Sequence, residues 1–140
     1  MKNLINLSLL FVFVVLGLGA CSSAHGNNTN KSESQLIQYL AENSSNFAVI
    51  KFYAPWCGTC KRYAPEFSKT KEDYAKRSEA VDFLEVNVDD HDYAALIREL
   101  KIGVIPTTYF VSKDRKTVYN RIGNIKHDDL DALIQELLTK

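Results

Sequence analysis

Apolar and polar positions divide the chain into two unequal parts. Leu4 to Leu18 is almost wholly apolar, and the stretch Ser22 to Ser34 is rich in Ser, Asn, Gly and Thr with no helix or strand periodicity. From about residue 35 the pattern alternates between helical and strand spacing. Leu36, Ile37 and Leu40 predict a short amphipathic helix, and the compact apolar run Phe47 to Tyr53 predicts a buried strand. A helix follows over Cys57 to Arg77, carrying Tyr63, Phe67 and Tyr74, with Pro65 inside it as a kink. Val81 to Val88 reads as a second strand, and Asp89-Asp90 can cap a helix bearing Leu96, Ile97 and Leu100. Thr107 to Val111 and Thr117 to Ile122 read as an antiparallel pair across a polar Ser-Lys-Asp-Arg-Lys turn. The last helix is the most regular. Leu130, Leu133, Ile134, Leu137 and Leu138 fall at i, i+3, i+4, i+7 and i+8, behind acidic Asp128 and Asp129.

The order α-β-α-β-α-β-β-α implies an α/β fold of three layers, a mixed central sheet of about four strands with helices on both faces. No internal repeat is visible, and any strand before the first helix must be very short. At 140 residues the chain is one small domain plus extensions, long enough to bury a single core without metals or several disulfides.

The first segment changes the picture of where this domain works. Met1-Lys2-Asn3 gives a short positive start to an apolar stretch too brief for a membrane span, which fits a secretory signal. It closes with Leu18-Gly19-Ala20-Cys21, and small residues before a cysteine resemble the lipobox of bacterial lipoproteins. That resemblance implies that residues 1–20 are removed and Cys21 is acylated. Residues 21–34 then form a lipidated tether and 35–140 the domain. An ordinary signal peptide, or an uncleaved anchor with Cys21 incidental, are the alternatives. All three place the domain outside the cytoplasm, facing a periplasm or the cell exterior. A tether of this composition has a root-mean-square span of roughly 20 Å and a taut limit of about 45 Å. His25, within it, reads as solvent-exposed filler.

Charge adds little. Acidic and basic residues balance at 17 each, and the clustered basic face that a nucleic-acid partner needs is missing.

The candidate chemistry centres on Cys57 and Cys60. Two cysteines separated by two residues at a strand-to-helix junction can close a small, reducible disulfide. The first sulfur stands near a helix N-terminus, where unpaired N–H groups and the macrodipole favour a thiolate, the nucleophile of disulfide exchange. Two other readings stay open. A structural disulfide fits the compartment, though so small a loop contributes little. Half of a zinc site would need His91 and His127, whose spacing does not suit ligation.

The segment Phe52-Tyr53-Ala54-Pro55-Trp56-Cys57-Gly58-Thr59-Cys60-Lys61, followed by Pro65, resembles the active-site strand, loop and helix of the thioredoxin family, and Ile105-Pro106-Thr107 resembles its cis-proline loop. The resemblance runs from about Gln35 to Lys140. It implies a thioredoxin-like fold and a thiol–disulfide oxidoreductase whose redox-active disulfide replaces any external cofactor, with no metal. Cys57 would attack the substrate disulfide and Cys60 would resolve it. Pro106, in cis, would hold its loop against the sulfurs, Ile105 would offer backbone hydrogen bonds to an extended substrate segment, and Trp56 would form part of the docking surface. For Trp56, a place in the core is the alternative.

The chain departs from the family in three ways. Thr59 replaces the more familiar proline. Lys51 stands where thioredoxins carry a buried acid, and Glu85 where they carry a lysine. Either the two form a charge-reversed pair beneath Cys60, tuning thiolates and moving protons, or both reach solvent at the sheet margin. Third, the first strand is missing. The isoleucine before Pro106 and the overall pattern favour the reductase direction over a thiol oxidant. Expected partners are protein thiols and disulfides, a membrane redox protein that recharges the pair, and the membrane through the anchor. No large insertion or second domain suggests an isomerase or a dedicated dimer, so the chain reads as a monomer. A redox-inert thioredoxin-fold lipoprotein that holds or assembles partners is the reading from another functional class.

Overall fold

The computed structural model describes residues 34–116 and 118–140. The signal segment, Cys21 and the tether before residue 34 lie outside the described residues, as does Thr117.

Helix α1 (Gln35–Asn43) starts at Ser34, whose side chain accepts from the Ile37 N–H. Its first free N–H groups, of Gln35 and Leu36, donate to the carboxylate of Glu99, a residue from the far end of a later helix. Strand β1 (Phe47–Tyr53) is buried along nearly its whole length. Helix α2 (Gly58–Arg77) continues through Pro65 and ends at Ser78, which takes a left-handed conformation (φ 54°). Strand β2 (Val81–Asn87) runs parallel to β1, with Lys51 opposite Glu85.

Asp90 caps a single 3-10 turn at His91–Tyr93 through the Asp92 N–H, and helix α3 (Ala94–Glu99) follows. The expected cap therefore serves this turn, not α3 directly, and Leu100 falls just past the helix end. Strands β3 (Thr107–Val111) and β4 (Val118–Ile122) are antiparallel neighbours, and α4 (His127–Leu138) closes the fold. The sheet order is β2-β1-β3-β4, with β3 antiparallel to β1, so the sheet is mixed as the element order implied. Among the described residues no strand precedes α1.

Alternation along the strands separates two cores. Ala48, Ile50 and Phe52 of β1 point to one face with Val86, Tyr109 and Val111, where Leu36 and Leu40 of α1 and Leu96 of α3 cover them. Phe47 and Val49 point to the other with Phe110, under Tyr63, Phe67 and Tyr74 of α2 and Leu130 and Ile134 of α4. The central strands β1 and β3 are thus buried on both faces, which is why they read as continuous apolar runs. Leu138, last in the α4 stripe, is 39% exposed.

Candidate functional site

Strand β1 leaves the core at Tyr53, and Ala54 to Trp56 turn the chain into α2. Cys57 is the N-cap of that helix, and its sulfur accepts from the Cys60 N–H at 3.1 Å. The sulfur thus occupies the place an oxygen usually holds at a helix start, in line with the dipole. Cys57 and Cys60 are joined as a disulfide, with Cα atoms 5.2 Å apart. Both are largely buried, packed with Ala54 and flanked by Tyr53, Val88 and Ile105.

The loop before β3 faces this disulfide. The Ile105–Pro106 bond is cis, and the Ile105 carbonyl oxygen lies 3.8 Å from Cys57 Sγ. Thr107 Oγ1 donates to Val104 O at 2.6 Å, and Gly123 N donates to Pro106 O at 2.8 Å, so the loop is tied at both ends. Gly123 has φ +98°, a backbone region that L side chains rarely adopt. Trp56, next to Cys57, is 68% exposed, Val104, next to Ile105, 55%, and Ile122, paired with Thr107 across β3 and β4, 65%. Trp56 is therefore a surface residue, not a core one. Its indole N–H donates to the Asp89 carboxylate at 2.8 Å, which steadies the ring in the open.

Beneath, on the α2/α4 face, lies the other set of expected residues. Lys51 is 2% exposed, and its Nζ lies 2.6 Å from Glu85 Oε2. The lysine does not reach solvent, whereas the Glu85 side chain is 38% exposed. Aromatic rings fill the rest of the ammonium's surroundings, with centroids at 4.5 Å for Phe67, 5.3 Å for Tyr53 and 6.0 Å for Tyr63. Their π faces attract the cation where water is excluded. Tyr53 belongs both to this cage and to the packing around Cys57 and Cys60, so one ring joins the two groups. Next to the cage, the Tyr63 hydroxyl bonds Thr108 Oγ1 at 3.0 Å. Burial pushes the Tyr63 phenol up to about 12, so it stays protonated.

His127 is not near the cysteines. Its ring bonds Thr70 Oγ1 at 2.9 Å and lies 3.4 Å from Asp73, and its backbone N–H donates to Glu66. It fastens α4 to α2. His91 sits exposed in the 3-10 turn. Among the described residues no group of three or more His, Cys, Asp or Glu side chains is placed to hold a metal ion.

Three contacts escaped the sequence: Asp89 with Trp56, Tyr63 with Thr108, and a bond from Arg62 Nη2 to Thr59 Oγ1 at 3.1 Å. The last had a signal, since residues three apart share a helix face. The others join residues far apart in the chain.

A disulfide at a strand-to-helix junction, faced by a cis-proline loop on a sheet with helices on both sides, defines the thioredoxin class of fold. The thioredoxin family model matches residues 28–136. Sheep (Ovis aries) thioredoxin is 37% identical over 109 residues, 76% of this chain and 95% of that protein. Mouse (Mus musculus) protein disulfide-isomerase A4 is 33% identical over 94 residues, 67% of this chain but only 14% of that much longer protein. The crystal structure of chloroplastic thioredoxin z superposes with a TM-score of 0.63 at 20% identity, covering 77% of this chain and 93% of that one. The chain belongs to the thioredoxin family.

Proposed function

We propose that this protein is an extracytoplasmic thiol–disulfide oxidoreductase, tethered to a membrane through an acylated Cys21 and exchanging disulfides with protein substrates through Cys57 and Cys60. The observation that carries the reading is Cys57 at the N-cap of α2, 3.8 Å from the Ile105 carbonyl and beside exposed Trp56. It combines dipole stabilisation of a thiolate, an extended backbone edge and an apolar docking surface in one place.

In the reductase direction the Cys57 thiolate attacks one sulfur of a substrate disulfide, forming a mixed disulfide and expelling a substrate thiolate, which takes up a proton. Cys60 loses its proton and attacks Cys57 Sγ. The Cys57–Cys60 bond forms, and the second substrate sulfur leaves as a thiol. The substrate gains two electrons and two protons, which a membrane redox partner must later return to the cysteine pair. Ile105 and Pro106 present backbone to the substrate, and Trp56 packs against it. Lys51 favours the thiolates by its charge, while Glu85, with one side in water, accepts and relays the proton of Cys60.

The test is reduction of insulin by dithiothreitol, with the wild type against Cys57→Ser. Acceleration lost in the variant supports the oxidoreductase, whereas equal rates would point to a redox-inert binding lipoprotein. The tether has its own test. Wild type in the membrane fraction and Cys21→Ala in the soluble one supports acylation, and unchanged partitioning sinks it.

A further inference from the structure

Lys61 and Arg62 stand in the first turns of α2, where the macrodipole is already positive and a cation is unfavourable. No acidic residue occupies that first turn, and among the described residues neither basic side chain forms an ion pair. Arg62 is nonetheless held in place. Its Nη2 donates to Thr59 Oγ1 at 3.1 Å, and its Nη1 lies 4.0 Å from the point where a β-carbon on Gly58 would stand. The planar guanidinium therefore lies across Gly58-Thr59, the two residues between the cysteines. Thr59 supplies the acceptor, and the guanidinium would stand at ordinary contact distance from a β-carbon at position 58. A cation placed against a helix dipole without an ion-pair partner breaks a local rule of helix design, and such breaks concentrate at working sites.

We propose that Thr59 positions Arg62 so that its uncompensated charge stabilises the Cys57 thiolate and sets the redox poise of the Cys57–Cys60 pair toward the dithiol. The inference rests on the reading that this pair cycles between disulfide and dithiol. When glutathione reduces it, two glutathione thiols give up two electrons and two protons and become one glutathione disulfide. The Cys57–Cys60 bond takes both electrons and both protons, and Cys57 then releases its proton to water. A positive charge nearby favours that last step and so pulls the whole equilibrium toward the reduced form. Thr59 is here a positioning residue; Arg62 supplies the charge.

The experiment equilibrates the full-length protein in glutathione buffers, quantifies free thiols by alkylation, and follows the ultraviolet absorbance of the thiolate against pH. Arg62→Gln should shift the equilibrium constant about threefold toward the disulfide, roughly 14 mV at 30 mV per tenfold for two electrons. Its thiolate should also form at higher pH than in the wild type. Thr59→Val, which keeps shape but loses the acceptor, should shift both readouts the same way, and Thr59→Ser should match the wild type. The Thr59→Val/Arg62→Gln double variant should go no further than Arg62→Gln alone, because both remove one effect. Added salt should narrow the gap between wild type and Arg62→Gln. The proposal is overturned if Arg62→Gln titrates like the wild type, if Thr59→Val does so while Arg62→Gln shifts, or if the two shifts add. A wild type with no reversible two-electron couple overturns the oxidoreductase reading itself, and that result is distinct because it precedes any comparison of variants.

Discussion

The two faces of the sheet are built on different terms. The face under α1 and α3 is packed by side chains such as Leu36, Leu40, Ile50, Phe52, Val86 and Leu96, and its contribution is apolar burial. The face under α2 and α4 has its own buried apolar cluster but encloses the Lys51 ammonium, the Tyr63–Thr108 hydroxyl pair and the Thr70–His127 contact. Cys57 caps α2 and Cys60 lies within it, so the polar inclusions lie on the side of the sheet from which that helix springs. One face is built from apolar side chains alone at these positions, while the other holds a buried ion pair and hydroxyl contacts among its apolar side chains. Burying an ammonium costs several kcal/mol of desolvation, against which stand one carboxylate and three aromatic rings.

The largest effect should come from the apolar face. Leu40, fully buried in α1, should cost about 2–5 kcal/mol when truncated to Ala, with a cavity left behind. Chemical denaturation should show that loss while the redox equilibrium with glutathione stays at the wild-type value. A changed equilibrium would erase the division of labour between the faces.

On the other face, Glu85→Gln leaves the Lys51 ammonium buried without its carboxylate. Breaking a buried pair costs about 3–5 kcal/mol, and water reaching Glu85 should reduce this to roughly 2–3. Stopped-flow measurement should also find slower resolution of the mixed disulfide, with the first attack little changed. Unaltered exchange kinetics in a folded variant would remove Glu85 from proton transfer.

Thr108→Val strands the Tyr63 hydroxyl in the core, at about 1–3 kcal/mol. Denaturation midpoints should show it, and Tyr63→Phe added to Thr108→Val should recover part of the loss, because neither partner is then left unpaired. No recovery would mean that the hydroxyl pair is not what the variant disturbs.

The smallest effect belongs to Asp82, a polar group at the margin of the apolar face. Burial pushes its carboxyl up, but hydrogen bonds from the Ser44 and Asn46 side chains and from nearby backbone N–H groups outweigh this and hold it below the usual value of 3.8. A carboxyl lowered in the folded state contributes stability that is complete above its unfolded value and is lost as pH falls through the folded one. The wild type should therefore lose about 1 kcal/mol or less through this group below about pH 4. Asp82→Asn should show a flatter acid limb in urea titrations at stepped pH. An unchanged limb would exclude Asp82 as a source of acid sensitivity.

Much of the fold was legible because its signals are local. The apolar run Phe47–Tyr53 and the stripe from Leu130 to Leu137 need only the period of one element to be read. The redox pair was legible for the same reason, since Cys57 and Cys60 lie within one helical turn. The short α3 was blurred because the sequence shows a good cap at Asp89-Asp90 but not that the chain spends it on a 3-10 turn. Trp56 was ambiguous between core and surface, because an aromatic residue in a loop carries no periodicity, and its exposure depends on Asp89 arriving from the end of β2.

The sequence by itself determined the elements, their order and the cysteine pair at a helix start, all matters of spacing along one stretch of chain. Only the tertiary structure decided that Lys51 is buried with Glu85 as its counter-ion, that Ile105 stands against Cys57, and that Trp56, Val104 and Ile122 are exposed. The physical reason is strand register. β1 and β2 align Lys51 with Glu85, and β3 and β4 align Thr107 with Ile122, across separations that no local pattern encodes.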